Sequence, residues 1–202
     1  DVKTTINDLV NLVKTIELYN NTAITVPILV NKHNRNIDHI EVLPEIAAKF
    51  HKIDTNKNKL EKNLLHGDTC INFCWAAIML LNNSIIRKTK LFDKKYFLYW
   101  EDYDLCRKLY NLKLPIIKSF NSKAFHIKHG SVKNSLLNYF IIQMHHVYSS
   151  YLYFKIEKNN KVLIKRLWVY LFRSISYLFI LNIKKSIKNL ARLVAVLKYR
   201  SK

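Results

Sequence analysis

The run Phe92-Asp93-Lys94-Lys95-Tyr96-Phe97-Leu98-Tyr99-Trp100-Glu101-Asp102-Tyr103-Asp104-Leu105-Cys106 places three carboxylates, Glu101, Asp102 and Asp104, directly after an almost wholly aromatic stretch. Aromatic and apolar neighbours strip water from a carboxylate, raise its proton affinity and suit it to take a proton near neutral pH. The residues can therefore supply a general base. They can equally start a helix, since acids in a first turn meet the positive end of the helix dipole, with Leu105 and Leu109 then facing a core.

The elements that would position these acids follow from periodicity. From Asp8 to Leu18 the apolar Leu9, Leu12, Val13 and Ile16 keep helical spacing, and Ala23 to Val26 reads as a short strand ended by Pro27. The stretch from Asn31 to Gly67 is polar and irregular, with a short helix expected around Pro44 to Phe50. Ile71 to Leu81 is a continuous apolar run, too short for a membrane span, and reads as a buried strand. A short helix over Ser84 to Lys88, a helix over Asp102 to Leu109 and a strand entered at Pro115 complete the pattern.

At 202 residues, half of them hydrophobic, the chain can bury a core and is not a disordered protein. Its formal net charge of +20 points to an anionic partner: nucleic acid, an anionic membrane surface or a phosphate-rich substrate. Cys70, Cys74 and Cys106 are odd in number and follow no signal-peptide pattern, which reads as reduced, buried thiols in a cytoplasmic protein. Zinc would need two more ligands beside Cys70 and Cys74, and none stands at suitable spacing.

Near Ser135 the composition shifts. Leu136 to Phe154 is apolar and aromatic with helical periodicity, and no acidic residue follows Glu157. Leu167 to Ile183 is strongly apolar but interrupted by Arg173 and flanked by Lys161, Lys165, Arg166, Lys184, Lys185 and Lys188. Such flanks favour an interfacial helix, with basic residues on lipid phosphates, over a packed bundle or a true span.

The order of these segments resembles the second half of a family 2 glycosyltransferase, in particular the rhamnosyltransferase-like bacterial members. The residues that carry it are Ala76-Ala77-Ile78-Met79-Leu80, then Phe92-Asp93 through Cys106, then Leu114-Pro115-Ile116-Ile117, then His126 and Gly130-Ser131. The resemblance implies an α/β fold, a partial GT-A domain (Rossmann-like, with a mixed sheet) over residues 1–134, followed by basic amphipathic C-terminal helices over residues 135–202. It implies an inverting transfer of a sugar such as rhamnose from a nucleotide-diphosphate sugar to a glycan or lipid-linked acceptor.

Within that chemistry Asp102 takes the position of the base that deprotonates the acceptor hydroxyl, and Glu101 holds the base or an acceptor hydroxyl, with the two roles exchangeable. Trp100 and Tyr99 offer flat faces for a sugar ring, or are core aromatics. His126 stands where the family places a histidine near the diphosphate and a divalent metal, Mn²⁺ or Mg²⁺; His129 is a second candidate, and the alternative is a surface histidine in a basic loop. Asp1, in an Asp-Val dipeptide before a helix, resembles the last carboxylate of the family's metal-binding D-x-D element, so the nucleotide-binding strands are expected upstream of this sequence. The protein is expected to be peripheral on the inner face of the cell membrane.

Two non-enzymatic readings compete: a small membrane-associated structural protein, and a nucleic-acid-binding protein suggested by charge and by Tyr148, Tyr151, Tyr153 and Phe154. No helix-turn-helix, zinc or RNP-type pattern accompanies the latter, so nucleic acid is not an expected partner.

Overall fold

A computed structural model of the protein describes residues 2–33, 35–37, 42–46, 67–87, 89, 91–127, 135–157 and 160–201, and divides the chain into two units. The first comprises Asp1–Phe92 with Asp102–Gly130, the second Asp93–Glu101 with Ser131–Lys202.

The first unit is a mixed sheet with helices. Its described elements are β1 (Val2–Thr4), α1 (Ile6–Leu18), β2 (Ile24–Val30), β3 (Thr69–Ile71), β4 (Leu80–Leu81), α2 (Asn83–Ile86), α3 (Glu101–Asn111, of which Glu101 belongs to the second unit) and β5 (Ile116–His126). The order is β1-β5-β2-β4, with β3 also on β5. β5 runs parallel to β2 and antiparallel to β1 and β3.

β2 is buried at all but one position, as a near-continuous apolar sequence in a sheet interior should be. It does not end at Pro27, as the sequence suggests. The ladder instead slips there: Pro27 pairs with Ser119 and Ile28 with Lys123, so residues 120–122 of β5 bulge out and the missing proline N–H falls at the irregularity. Side chains satisfy the bulge. The Phe120 N–H donates to Asp68 Oδ1 (2.7 Å), Asn11 Nδ2 donates to the Asn121 carbonyl (2.7 Å), and Ser122 Oγ donates to the Asp8 carbonyl (3.0 Å).

α1 opens with a capping box in which Thr5 and Asp8 exchange side-chain and backbone bonds. Asp8 Oδ1 also accepts from the Lys123 N–H at 2.8 Å, fastening the helix start to β5 just past the bulge. Burial pushes the Asp8 carboxyl up, but bonds from the Thr5 hydroxyl and the Lys123 and Thr5 amides, with the Lys123 charge, leave it below its ordinary value.

The apolar run from Ile71 to Leu81 is not one strand. Only its ends pair, as β3 and β4, and the segment between is irregular. Phe73 and Cys74 are buried there, yet Trp75 and Ala76 are exposed, which a strand covered on both faces would not allow. Phe73 stacks on Tyr103 of α3 with centroids 4.0 Å apart. Leu105, Cys106 and Leu109 of α3 join Ile24, Val26 and Ile116 in one core.

α3 ends in a Schellman motif. The Leu114 N–H donates to the Leu109 carbonyl (3.0 Å) and the Lys113 N–H to the Tyr110 carbonyl (3.1 Å), with Lys113 left-handed at φ 56°. This reverses the chain into β5 directly after Pro115.

The second unit is built on α4 (Leu136–Tyr153), α5 (Lys161–Phe179) and α6 (Ile183–Ser201). Ser135, Asn160 and Asn182 each accept a bond from a backbone N–H of the turn that follows, as helix N-caps do. Tyr148, Tyr151, Leu163, Ala195, Val196 and Tyr199 form its core. Ser174 and Ser186 donate reciprocally to each other's carbonyls (3.1 and 2.8 Å), which small side chains permit where α5 and α6 approach. The apolar stretch from Leu167 to Ile183 is split by a turn at residues 180–182, and among the described residues no helix is long and apolar enough to cross a membrane.

Candidate active site

In the first unit the parallel strands β2 and β5 end side by side, Val30 opposite Phe125 with His126 next. Beyond them lies a cleft of about 360 Å³ lined by Asn31, Lys32, Ile37, Phe125, His126 and Ile127. Asn31 Oδ1 holds the loop by accepting from the His33 (2.9 Å) and Arg35 (3.1 Å) amides. Ligands of α/β sheets gather at the carboxyl ends of parallel strands, and this cleft has that position. Its lining is mainly apolar, with one lysine, Lys32, and the half-buried His126 among the polar residues.

His126 is paired in the sheet with Val2. Asp1 and His129 lie outside the described residues, and among the described residues no three His, Cys, Asp or Glu side chains converge as a metal site would require. His126 is thus one described member of the expected metal set.

α3 carries the acids and precedes β5 in the chain. The helix-start reading is correct, since Leu105 and Leu109 are fully buried. The three carboxylates differ. Asp104 is buried and held by Arg107 and Lys108, each at 2.8 Å, which makes it a structural anion. Asp102 is also buried, and its Oδ1 accepts from the Tyr103 N–H at 2.8 Å. Burial, with the Asp102 charge next in weight, pushes the Tyr103 phenol up. The division between the units falls between Glu101 and Asp102. Glu101 Oε2 is shielded from water and accepts no hydrogen bond.

In the second unit Tyr99 and Trp100 are consecutive left-handed residues, φ 65° and 71°. Side chains with a Cβ disfavour that region by about 1–2 kcal/mol each, and such strain persists only where the surroundings fix it. Here they do. The Trp100 indole N–H donates to the His146 carbonyl (3.0 Å), its ring packs on Tyr153 (5.1 Å) and Phe154 (5.3 Å), and Ser149 Oγ donates to the Leu98 carbonyl (2.9 Å). The His146 imidazole meets Tyr99 and Trp100 edge-on, and burial, reinforced by Arg192 and Lys188, keeps it below its ordinary pKa. Burial, and then Glu101, raises the Tyr99 phenol. Trp100 is therefore partly a packing aromatic, with Tyr99 half-buried beside it.

Sequence reasoning missed the strained pair, the cleft and Lys32. The lysine just after a strand's carboxyl end was the available signal for the cleft; nothing in the residue types marks two left-handed aromatics. It also placed all thiols in the interior, whereas Cys70 is exposed and Cys74 and Cys106 are buried.

No family model matches the chain, and no solved structure matches it. Among curated proteins it is similar to rhamnosyltransferase WbbL of Escherichia coli (strain K12), 31% identical over 97 residues, which is 48% of this chain and 35% of that protein. The chain thus spans about a third of the length of the relative it matches, a partial and glycosyltransferase-like relationship.

Proposed function

We propose that this chain is part of an inverting glycosyltransferase that moves a sugar, rhamnose being the first candidate, from a nucleotide-diphosphate sugar to a glycan or lipid-linked acceptor. The observation that carries the reading is the 31% identity to a rhamnosyltransferase. The cleft at the ends of β2 and β5, and a buried Asp102 at the start of α3, support it.

In this reading Asp102 takes the proton from the acceptor hydroxyl as that oxygen attacks the anomeric carbon, and the nucleoside diphosphate leaves from the opposite side. Glu101, whose Oε2 lacks a hydrogen bond, accepts one from an acceptor hydroxyl. Tyr99, held in its strained conformation, offers the acceptor sugar a ring edge and a hydroxyl, with Trp100 fixing that conformation. Lys32 and His126 face the departing diphosphate from the cleft.

His126, Asp1 and His129 are the residues that would hold Mn²⁺ or Mg²⁺, and Asp1 is joined by one peptide bond to Val2, the sheet partner of His126. The metal, when bound, neutralises charge on the diphosphate.

The test is transfer itself: the full-length protein that carries this sequence is incubated with nucleotide-diphosphate sugars and a bacterial glycolipid extract, and product is read by mass. A sugar added to the acceptor, with nucleoside diphosphate released, is expected. No transfer from any donor, with no donor binding, would overturn the reading.

A further inference from the structure

The second unit leaves a large apolar face uncovered. On α5 the exposed Ile164, Trp168, Leu171, Phe172, Ile175 and Leu178 fall within a stripe roughly 120° wide at 100° per residue. Leu163 and Ser174, about 100–120° round the helix from the centre of the stripe, are buried.

The stripe runs into the α5–α6 turn, where Phe179 is 84%, Ile180 72% and Leu181 84% exposed, with Ile183 half-exposed after them. This turn is doubly unfavourable in water. The Asn182 N–H donates to the Tyr177 carbonyl (2.8 Å) and the Leu181 N–H to the Leu178 carbonyl (2.9 Å), a Schellman motif whose left-handed position, usually glycine, is Leu181 at φ 56°. A leucine is thus held in a strained conformation with its side chain in solvent.

Charge selects the occupant. Lys161 and Lys165 on the first turns of α5, and Lys184 and Lys185 at the start of α6, are exposed at the two ends of the stripe, and no acidic residue follows Glu157. A second copy of this face would bring like charges together with nothing to pair them. A nucleic acid would meet the cations but offer nothing to the apolar side chains. An anionic bilayer offers both, phosphates at the rim and acyl chains beneath.

We infer that the α5 stripe and the turn Phe179–Ile183 insert into the interface of an anionic membrane, α5 lying in the plane with Leu181 at the inserted tip. This does not rest on the transferase reading.

The test uses the full chain with vesicles of phosphatidylcholine alone or with phosphatidylglycerol. Co-sedimentation with the anionic vesicles, and weaker binding to the neutral ones, is expected. Leu181→Gly separates the inserted tip from mere folding: it relieves the left-handed strain, so the melting temperature rises, while vesicle affinity falls by about tenfold with loss of the buried leucine. Phe179→Glu weakens binding further, and Val10→Glu, the same change on α1 of the first unit, leaves it unchanged. Absence of binding to anionic vesicles overturns the inference, as does equal binding by Leu181→Gly. Two further results overturn it: a lipid-free dimer that Phe179→Glu dissociates without vesicle binding, and tight salt-sensitive RNA binding in place of vesicle binding.

Discussion

Replacing Asp8 with alanine tests how the fold holds the strand that ends in His126. The carboxylate accepts from the Thr5 N–H at 3.2 Å with one oxygen and from the Lys123 N–H at 2.8 Å with the other, joining α1 to β5 three residues before His126. Loss of a capping interaction costs about 1 kcal/mol. Loss of the charge-assisted bond to Lys123, discounted for a site open to solvent, costs about another 1 kcal/mol. The better helix propensity of alanine and the lost charge–dipole attraction roughly cancel. The expected total is about 2 kcal/mol at pH 7, or about 1 M in urea midpoint at a slope near 2 kcal/mol/M.

The pH dependence has a definite sign. The folded-state carboxyl is held below its ordinary value of 3.8, so its contribution is complete above that value and is lost as pH falls through the lower, folded one. The two proteins should therefore converge in stability at strongly acid pH, and Asp8→Asn should lie between them at neutral pH. Amide exchange at Phe125 and His126 should quicken in Asp8→Ala. A difference under about 0.5 kcal/mol at pH 7, or one that persists unchanged in acid, would refute the assigned role.

Lys113→Gly should stabilise the first unit by about 0.5–1 kcal/mol in urea unfolding, because the left-handed position of the α3 Schellman motif suits glycine. At Trp100 the usual order of small residues should reverse: both Trp100→Ala and Trp100→Gly lose the indole bond to His146, but glycine should be the less destabilising by about 1 kcal/mol at φ 71°. Thermal unfolding of the two variants checks this, and alanine proving the more stable would show that the strain is not there.

The helices were legible because their signals are local. Leu105 and Leu109 of α3 stand at the spacing that buries them; apolar spacing starts α1 only at Asp8, whereas the Thr5–Asp8 capping box starts it at Ile6. The strands were legible only as apolar segments. Pro27 reads as a stop, yet β2 continues because its partner β5 bulges by three residues, a feature encoded in Asp68, Asn11 and Ser122 far from Pro27. The run from Ile71 to Leu81 reads as one strand because periodicity cannot separate a buried loop from a buried strand. There Phe73 is buried against Tyr103, and the tertiary partner decides. Glu101, Asp102 and His126 could be chosen from the sequence because their spacing resembles a known pattern. The pairing of Asp104 with Arg107 and Lys108 could not, since it depends on how the side chains of that helix turn are arranged.

The central claim is that Asp102 is the base of a sugar transfer. Its most direct measurement is the transfer rate of Asp102→Asn in the full-length protein against the unaltered full-length protein, with nucleotide-sugar affinity measured in parallel. Asparagine keeps an acceptor for the Tyr103 N–H and cannot take a proton, so the fold and donor binding should be retained while the rate falls by about 10²–10⁴. Turnover within a few-fold of the unaltered protein would contradict the account.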